Sequence, residues 1–309
     1  MIKEKLSKLI EMLRRNPQNH DKRRQLAFLL LETEAYEEAV KQLNFLVALF
    51  PKDAILHYKI GIAYDGLRML DAAEKSYLRA IEISPNDPDY SYNLASVYDK
   101  KGEIDKAIEY YETTIGLDPA DSNSHFNLAL QYIKKDDSDT AIFYLNETIR
   151  LNSKDVYAYF YLAQELQKQG FTEKAIENYQ KVVSLSPDYS WAYYNLGCIA
   201  LSQQEFDKAK AYFKKTIETN PKDTQAAIVL SKIYLQENNP DKALQLIEKI
   251  LETNEITGDI HLCLAQIYKK TGEESKVIEN LELAINNFKT LSIPVESIKR
   301  KLKELRNQS

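Results

Sequence analysis

Proline keeps time in this chain. Pro17, Pro51, Pro85, Pro119, Pro187 and Pro221 are separated by multiples of 34 residues, and the two beats without proline fall on Ser153 and Glu255. A period held from residue 17 to residue 255 without insertion predicts one small unit copied head to tail. Each copy of such an array packs against its neighbours, so the molecule offers an extended surface rather than an enclosed pocket. The copies begin at His20, Ala54, Pro88, Ser122, Val156, Ser190, Thr224 and Gly258, which gives eight full units over residues 20–291.

Aligned by this period, the copies show fixed columns. One reads Leu26, Ile60, Leu94, Leu128, Leu162, Leu196, Leu230, Leu264, and the next residue is always small: Ala27, Gly61, Ala95, Ala129, Ala163, Gly197, Ser231, Ala265. Alanine stands in a later column in seven copies, from Ala39 through Ala73, Ala107, Ala141, Ala175 and Ala209 to Ala243, with Val277 in the eighth. Four residues beyond come Leu43, Tyr77, Tyr111, Leu145, Tyr179, Phe213, Ile247 and Leu281. Spacings of three and four put each set on one helical face, so every unit reads as two helices, with small residues permitting close approach. Gly102, Gly170 and Gly272 share the column between the helices with Asn238, where a helix end needs left-handed backbone. The clocked prolines end the second helices because proline cannot continue them.

These columns resemble the tetratricopeptide repeat (TPR), and Ala192-Tyr193-Tyr194-Asn195-Leu196-Gly197 is especially similar to its consensus. The resemblance implies an all-α fold: a right-handed superhelical α-solenoid of eight helix-turn-helix units. The family's tryptophan column is the main departure, holding Arg23, His57, Ser91, His125, Tyr159, Tyr193, Ala227 and His261. Residues 1–17 are expected to form an N-terminal capping helix with Ile2, Leu6, Leu9, Ile10 and Leu13 on one stripe. Residues 295–309 are expected to form an amphipathic C-terminal cap, with Val295, Ile298, Leu302 and Leu305 on its apolar side. Lys299, Arg300, Lys301, Lys303, Glu304 and Arg306 then read as its solvated face.

The repeats and caps consume the chain, leaving no stretch for a catalytic domain. No phosphate-cradling glycine loop, His-Glu-x-x-His or paired-cysteine motif occurs, so no catalytic residue, cofactor site or metal site is expected. His57, His125 and His261 share one column, which argues for packing. Cys198 and Cys263 are too few for a disulfide framework. A net charge of −5 without a clustered basic run gives no reason to expect nucleic acid. The chain shows no signal-peptide pattern and no apolar run of membrane-spanning length, so a cytoplasmic protein without membrane association is expected.

The resemblance also implies where a partner sits, since first helices line the concave side in this family and extended peptides bind there. One intervening column is aromatic in five successive copies: Tyr58, Tyr92, Phe126, Phe160 and Tyr194. Its neighbour reads Asn93, Asn127, Tyr161, Asn195, and an asparagine amide can pair with a peptide backbone without reading its sequence. The tetratricopeptide superhelix of O-linked N-acetylglucosamine transferases has a similar asparagine ladder, which is interrupted here at Tyr161. Tyr157 and Trp191, one turn earlier, are further candidate anchors. Lys134 and Lys168, followed by Lys232, Lys269 and Lys270, form an inner basic stripe that favours an acidic extended segment. The family's chaperone-tail clamp is not reproduced, because Phe28 stands where it needs asparagine. The expectation is a monomeric protein–protein interaction adaptor, the alternative being an assembly scaffold that self-associates through its ends or outer face. Enlarging Ala141 or Ala175 to leucine is expected to cost roughly 1–3 kcal/mol by overpacking, read by chemical denaturation. A variant as stable as the parent would place the register wrongly.

Overall fold

The computed structural model describes residues 2–252 and 255–308. Met1 and Ser309, the outermost residues of the two expected caps, lie outside the described residues, as do Thr253 and Asn254. Among the described residues there are eighteen α-helices, one short 3-10 turn and no strand. The fold is an all-α solenoid. The chain divides into two compact units, Met1–Glu165 and Leu166–Ser309.

The first unit contains α1 (Ile2–Arg15), α2 (His20–Glu32), α3 (Tyr36–Leu49), α4 (Ala54–Gly66), α5 (Leu70–Ile83), α6 (Pro88–Lys101), α7 (Ile104–Leu117), α8 (Ser122–Lys134) and α9 (Ser138–Leu151). Helix α10 (Val156–Lys168) begins in it. The second contains α11 (Thr172–Leu185), α12 (Ser190–Ser202), α13 (Phe206–Thr219), α14 (Thr224–Gln236), α15 (Pro240–Leu251), α16 (Gly258–Thr271), α17 (Glu274–Asn286), the 3-10 turn Phe288–Thr290 and α18 (Val295–Gln308). Even-numbered helices from α2 to α16 begin 34 residues apart.

Within each helix pair, the small column of the first helix meets the large column of the second. Ala39, Ala73, Ala107, Ala141, Ala175, Ala209 and Ala243 are all fully buried, and Tyr77, Tyr179 and Phe213 are equally inaccessible. Each such ring removed from water contributes about 1.5–3 kcal/mol. At Gly61 the fit leaves no room, since an added Cβ would lie 2.6 Å from the Tyr77 ring; at Gly197 it would lie 2.9 Å from Phe213.

The turn between the helices of a pair is the same in all eight copies. Its central residue is left-handed whether it is Gly102, Gly170 or Gly272, or instead Glu34, Arg68, Asp136, Gln204 or Asn238. The next residue's N–H bonds back five positions, as in Met69 to Tyr64 (2.9 Å), Glu103 to Tyr98 (2.9 Å) and Glu205 to Ala200 (2.8 Å). This is the helix-ending motif that glycine serves best. Tertiary packing evidently enforces it where glycine is missing.

Between pairs, the residues before Pro85, Pro119, Pro187 and Pro221 are extended, as at Ser84 (φ −138°, ψ 87°) and Asp118 (φ −132°, ψ 89°). Proline disfavours helical backbone in the residue it follows. Asn152 adopts the same angles (φ −132°, ψ 89°) although Ser153 follows it. The next helix is then capped by a side chain: Asn19, Asp53, Asp87, Asp121, Asp155, Asp223 or Thr257 accepts a first-turn N–H. In the column where the family has tryptophan, Arg23 and His57 reach back to the carbonyls of Pro17 and Pro51, at 3.0 Å in both cases. A polar tether to the loop replaces the aromatic there.

The ends differ in how much they bury. In α1 only Leu9 is buried, with Leu6 and Leu13 half-buried, while Ile2 and Ile10 are exposed. In α18, Ile298 and Leu302 are buried against α17 residues that include Leu281 and Ala284. Among the described residues, no helix is long and apolar enough to cross a membrane.

Left-handed backbone costs a side-chain-bearing residue about 1–2 kcal/mol, and glycine's extra unfolded-state freedom returns only about 0.5–1 kcal/mol of the gain. Arg68→Gly is therefore expected to raise stability by about 0.5–1 kcal/mol, seen as a higher urea midpoint for loss of helical circular dichroism. A lower midpoint would contradict the turn assignment.

Candidate functional site

In the first unit, the aromatic and asparagine columns are joined across neighbouring first helices. The Asn93 amide nitrogen donates to the Tyr58 hydroxyl at 3.3 Å and to the Asp89 carbonyl at 2.7 Å. Asn127 repeats the link one copy later, donating to the Tyr92 hydroxyl at 3.0 Å. Both partners sit 35 residues apart, so the bond ties α4 to α6 and α6 to α8. The tyrosine rings are seated on the second helices: Tyr58 lies 5.9 Å from Tyr77 and Tyr92 lies 5.8 Å from Tyr111, centroid to centroid.

These bonds orient what is left over. Each asparagine spends its N–H on tyrosine, while its Oδ1 has no hydrogen-bond partner among the described residues and is not sealed from solvent. Each tyrosine accepts from asparagine, which leaves its own O–H to donate. Burial pushes the Tyr58 phenol up to about 12, with the Asp89 and Asp87 carboxylates adding to it. Burial likewise raises Tyr92. Both phenols therefore keep their protons at neutral pH. Each of these two links presents one acceptor and one donor, the complement of a peptide N–H and C=O. Packed helices are spaced about 10 Å apart, so successive sets fall roughly three residues apart along an extended chain.

The next link changes chemistry. Phe126 has no hydroxyl to receive an amide, and the residue 35 positions on is Tyr161, whose ring lies 5.9 Å from Phe126. Tyr161 also makes an edge contact with Phe160 (5.8 Å). What reads in the sequence as an interruption of the asparagine ladder is a ring pair substituting for a hydroxyl–amide pair. Tyr157, on the same helix, is 59% exposed.

In the second unit, Asn195 donates to the Trp191 carbonyl at 2.7 Å, and Trp191 is 59% exposed. Tyr194 packs on Phe213 (5.7 Å), and burial lifts its phenol to about 12. Lys168 is exposed at the end of α10.

Two lysines on first helices of the first unit meet aspartates of the preceding copy. Lys100 binds both carboxylate oxygens of Asp65 (2.8 and 2.6 Å), and Lys134 is ion-paired with Asp99, each across 35 residues. Reading the sequence as acidic and basic stripes missed this. The signal was present, because aspartate stands at the twelfth position of a copy wherever the next copy has one of these two lysines at its thirteenth.

Models described as "Tetratricopeptide repeat" match residues 24–88, 76–109, 122–155 and 200–267, and one described as "TPR repeat" matches residues 165–204. No curated protein sequence matches the chain. Solved structures do. MamA is 28% identical over 54% of this chain and 97% of its own, with a TM-score of 0.51. YrrB, described as a TPR protein with an unusual peptide-binding site, is 21% identical over 60% of this chain and 95% of its own, with a TM-score of 0.53. The C-terminal part of a TPR repeat-containing protein from Cytophaga hutchinsonii is 18% identical over 87% of this chain and 96% of its own, with a TM-score of 0.59.

The exchange between link types can be tested. Tyr161→Asn alone is expected to destabilise the protein by about 1 kcal/mol, because the ring contact is lost and no hydroxyl faces the new amide. Adding Phe126→Tyr supplies that hydroxyl, and the pair should show a favourable coupling of about 0.5–1.5 kcal/mol in a double-mutant cycle. Additive effects would show that the two residues do not form a link.

Proposed function

The chain belongs to the tetratricopeptide-repeat family, and from that premise we propose that it is a non-catalytic adaptor that holds an extended segment of a partner protein. Proteins of this family are typically interaction scaffolds. The observation that carries the reading is the orientation of the Tyr58–Asn93 and Tyr92–Asn127 pairs, each of which frees one acceptor and one donor. Such a face grips backbone and is indifferent to sequence; side-chain selection then comes from anchors such as Tyr157 and Trp191 and from charge. The partner is an acidic extended segment in this reading, the protein works as a monomer, and it acts in the cytoplasm.

One observation keeps the assembly reading as the alternative: Ile2, Ile10 and Met12 of α1 are exposed at the N-terminal end. Light scattering over a concentration series separates the two, since growth with concentration that survives changes to the asparagines belongs to assembly.

Panning a displayed library of unstructured peptides against the protein tests the adaptor. Replacing Asn93, Asn127 and Asn195 together with alanine should weaken the selected peptides at least about tenfold, since each hydrogen bond contributes about 0.5–1.5 kcal/mol. Helicity should be unchanged. Peptides that bind the triple variant as well as the parent would sink the reading.

A further inference from the structure

Five cations of the second unit line two adjoining depressions. The first, of about 660 Å³, is bounded by Lys232, Leu235 and Gln236 of α14 and by Gln266, Lys269 and Lys270 of α16. The second, of about 590 Å³, is bounded by the same Lys269 and by Ser297, Arg300, Lys301, Glu304 and Leu305 of α18. Lys269 belongs to both, so the two form one trough across three helices. The solvated face expected for α18 is in part the wall of this trough.

These cations are unlike the lysines of the first unit. Lys100 and Lys134 are neutralised by aspartates 35 residues earlier, whereas the residue 35 positions before Lys270 is Leu235. Lys232, Lys269, Lys270, Arg300 and Lys301 have no ion-pair partner among the described residues. Elsewhere on α18, Lys299 is paired with Glu296 and Arg306 with Glu282. Asp259 lies ten residues before Lys269, about 15 Å along α16. Its carboxylate is occupied by the Ser292 N–H (2.9 Å) and hydroxyl (3.0 Å). Among the residues lining the trough five cations face Glu304 alone, a local positive field in a protein of net charge −5.

We propose that this trough is the docking site for an acidic extended peptide, and that acidic side chains are selected here rather than along the asparagine ladder. The proposal rests on the adaptor reading and deepens it. The lining matches such a chain in three respects. Unpaired ammonium and guanidinium groups meet carboxylates, the Gln236 and Gln266 amides meet backbone, and Leu235 and Leu305 give an apolar floor. Two interhelical steps of about 10 Å span roughly six extended residues. Single-stranded nucleic acid is disfavoured because no aromatic ring lines the trough for bases to stack on. A bilayer is disfavoured because the surface is concave.

Fluorescence anisotropy with the full chain at low salt tests this, using a labelled decapeptide alternating glutamate and serine and its glutamine–serine counterpart. The wild type should bind the glutamate peptide and not the glutamine one. Reversing the exposed charges with Lys232→Glu, Lys269→Glu, Lys270→Glu and Arg300→Glu should weaken binding by about tenfold or more, with helicity retained. Lys100→Ala with Lys134→Ala should change it by less than about twofold, because those lysines are already paired. Loss in the charge-reversed protein but not in the Asn93, Asn127 and Asn195 alanine variant supports the trough even if the ladder reading fails. The proposal is overturned if the wild type binds neither peptide, binds both equally, or binds the glutamate peptide undiminished after charge reversal. It is equally overturned if oligo-thymidine or phosphatidylserine vesicles bind in preference to the peptide.

Discussion

The close approach of two helices at a small residue sets the rest of this structure. Where Gly61 lies under the Tyr77 ring and Gly197 under Phe213, there is no space even for a methyl group. The intervening copies carry alanine at this position, and Ala95, Ala129 and Ala163 are all fully buried. It determines the separation of the helices in a pair, which in turn determines how the connecting turn must close. The left-handed residue at that turn follows from the packing and not from the residue's own preference, since arginine, glutamate and glutamine accept it as well as glycine. Once pair geometry is constant, residues 35 apart on successive first helices face one another in every copy where contacts are seen. The hydroxyl–amide links, the ring pair and the lysine–aspartate pairs all depend on that constancy.

The helical character of the chain and its repeat family were legible in the sequence because they rest on periodic size: small residues at fixed columns and large ones four positions on. Less legible was anything that depends on pairing between copies. Asn93 read as a free amide, whereas its nitrogen is committed to Tyr58 and only its oxygen remains available. Tyr161 read as a gap, whereas it answers the missing hydroxyl of Phe126. Lys134 read as part of a basic stripe, although Asp99 holds it. Columns compared one at a time cannot reveal these relations, because each joins a position in one copy to the following position in the next. The capping residues from Asn19 to Thr257 carry no apolar periodicity, so size columns alone do not mark them.

Electrostatics separate the first unit from the trough of the second more than shape does. In the first, Lys100 and Lys134 are cancelled locally by Asp65 and Asp99, at half-exposed pairs that each contribute no more than about 1 kcal/mol. Their effect on a ligand is mainly to remove a field. In the second, leucine in place of aspartate at position 235 leaves the following lysine uncompensated, and the arginine and lysine of α18 extend the same field. The missing aspartate and the added cations of α14, α16 and α18 together make this wall an electrostatic steering surface.

The links across 35 residues also give the array a direction. The links form with tyrosine in the earlier copy and asparagine in the later, and with aspartate in the earlier copy and lysine in the later; the reverse order brings together groups that do not match. Two copies that are each well formed are therefore not interchangeable: where Phe160 stands 35 residues before Asn195, the amide donates to the Trp191 carbonyl of its own helix and makes no hydroxyl link between copies. Duplication or loss of a unit during the history of such a gene would preserve the core at any junction. It would preserve the inner face only at junctions where donor and acceptor happened to agree. The repeats behave like words under a syntax, and the order of the copies carries information that no single copy contains.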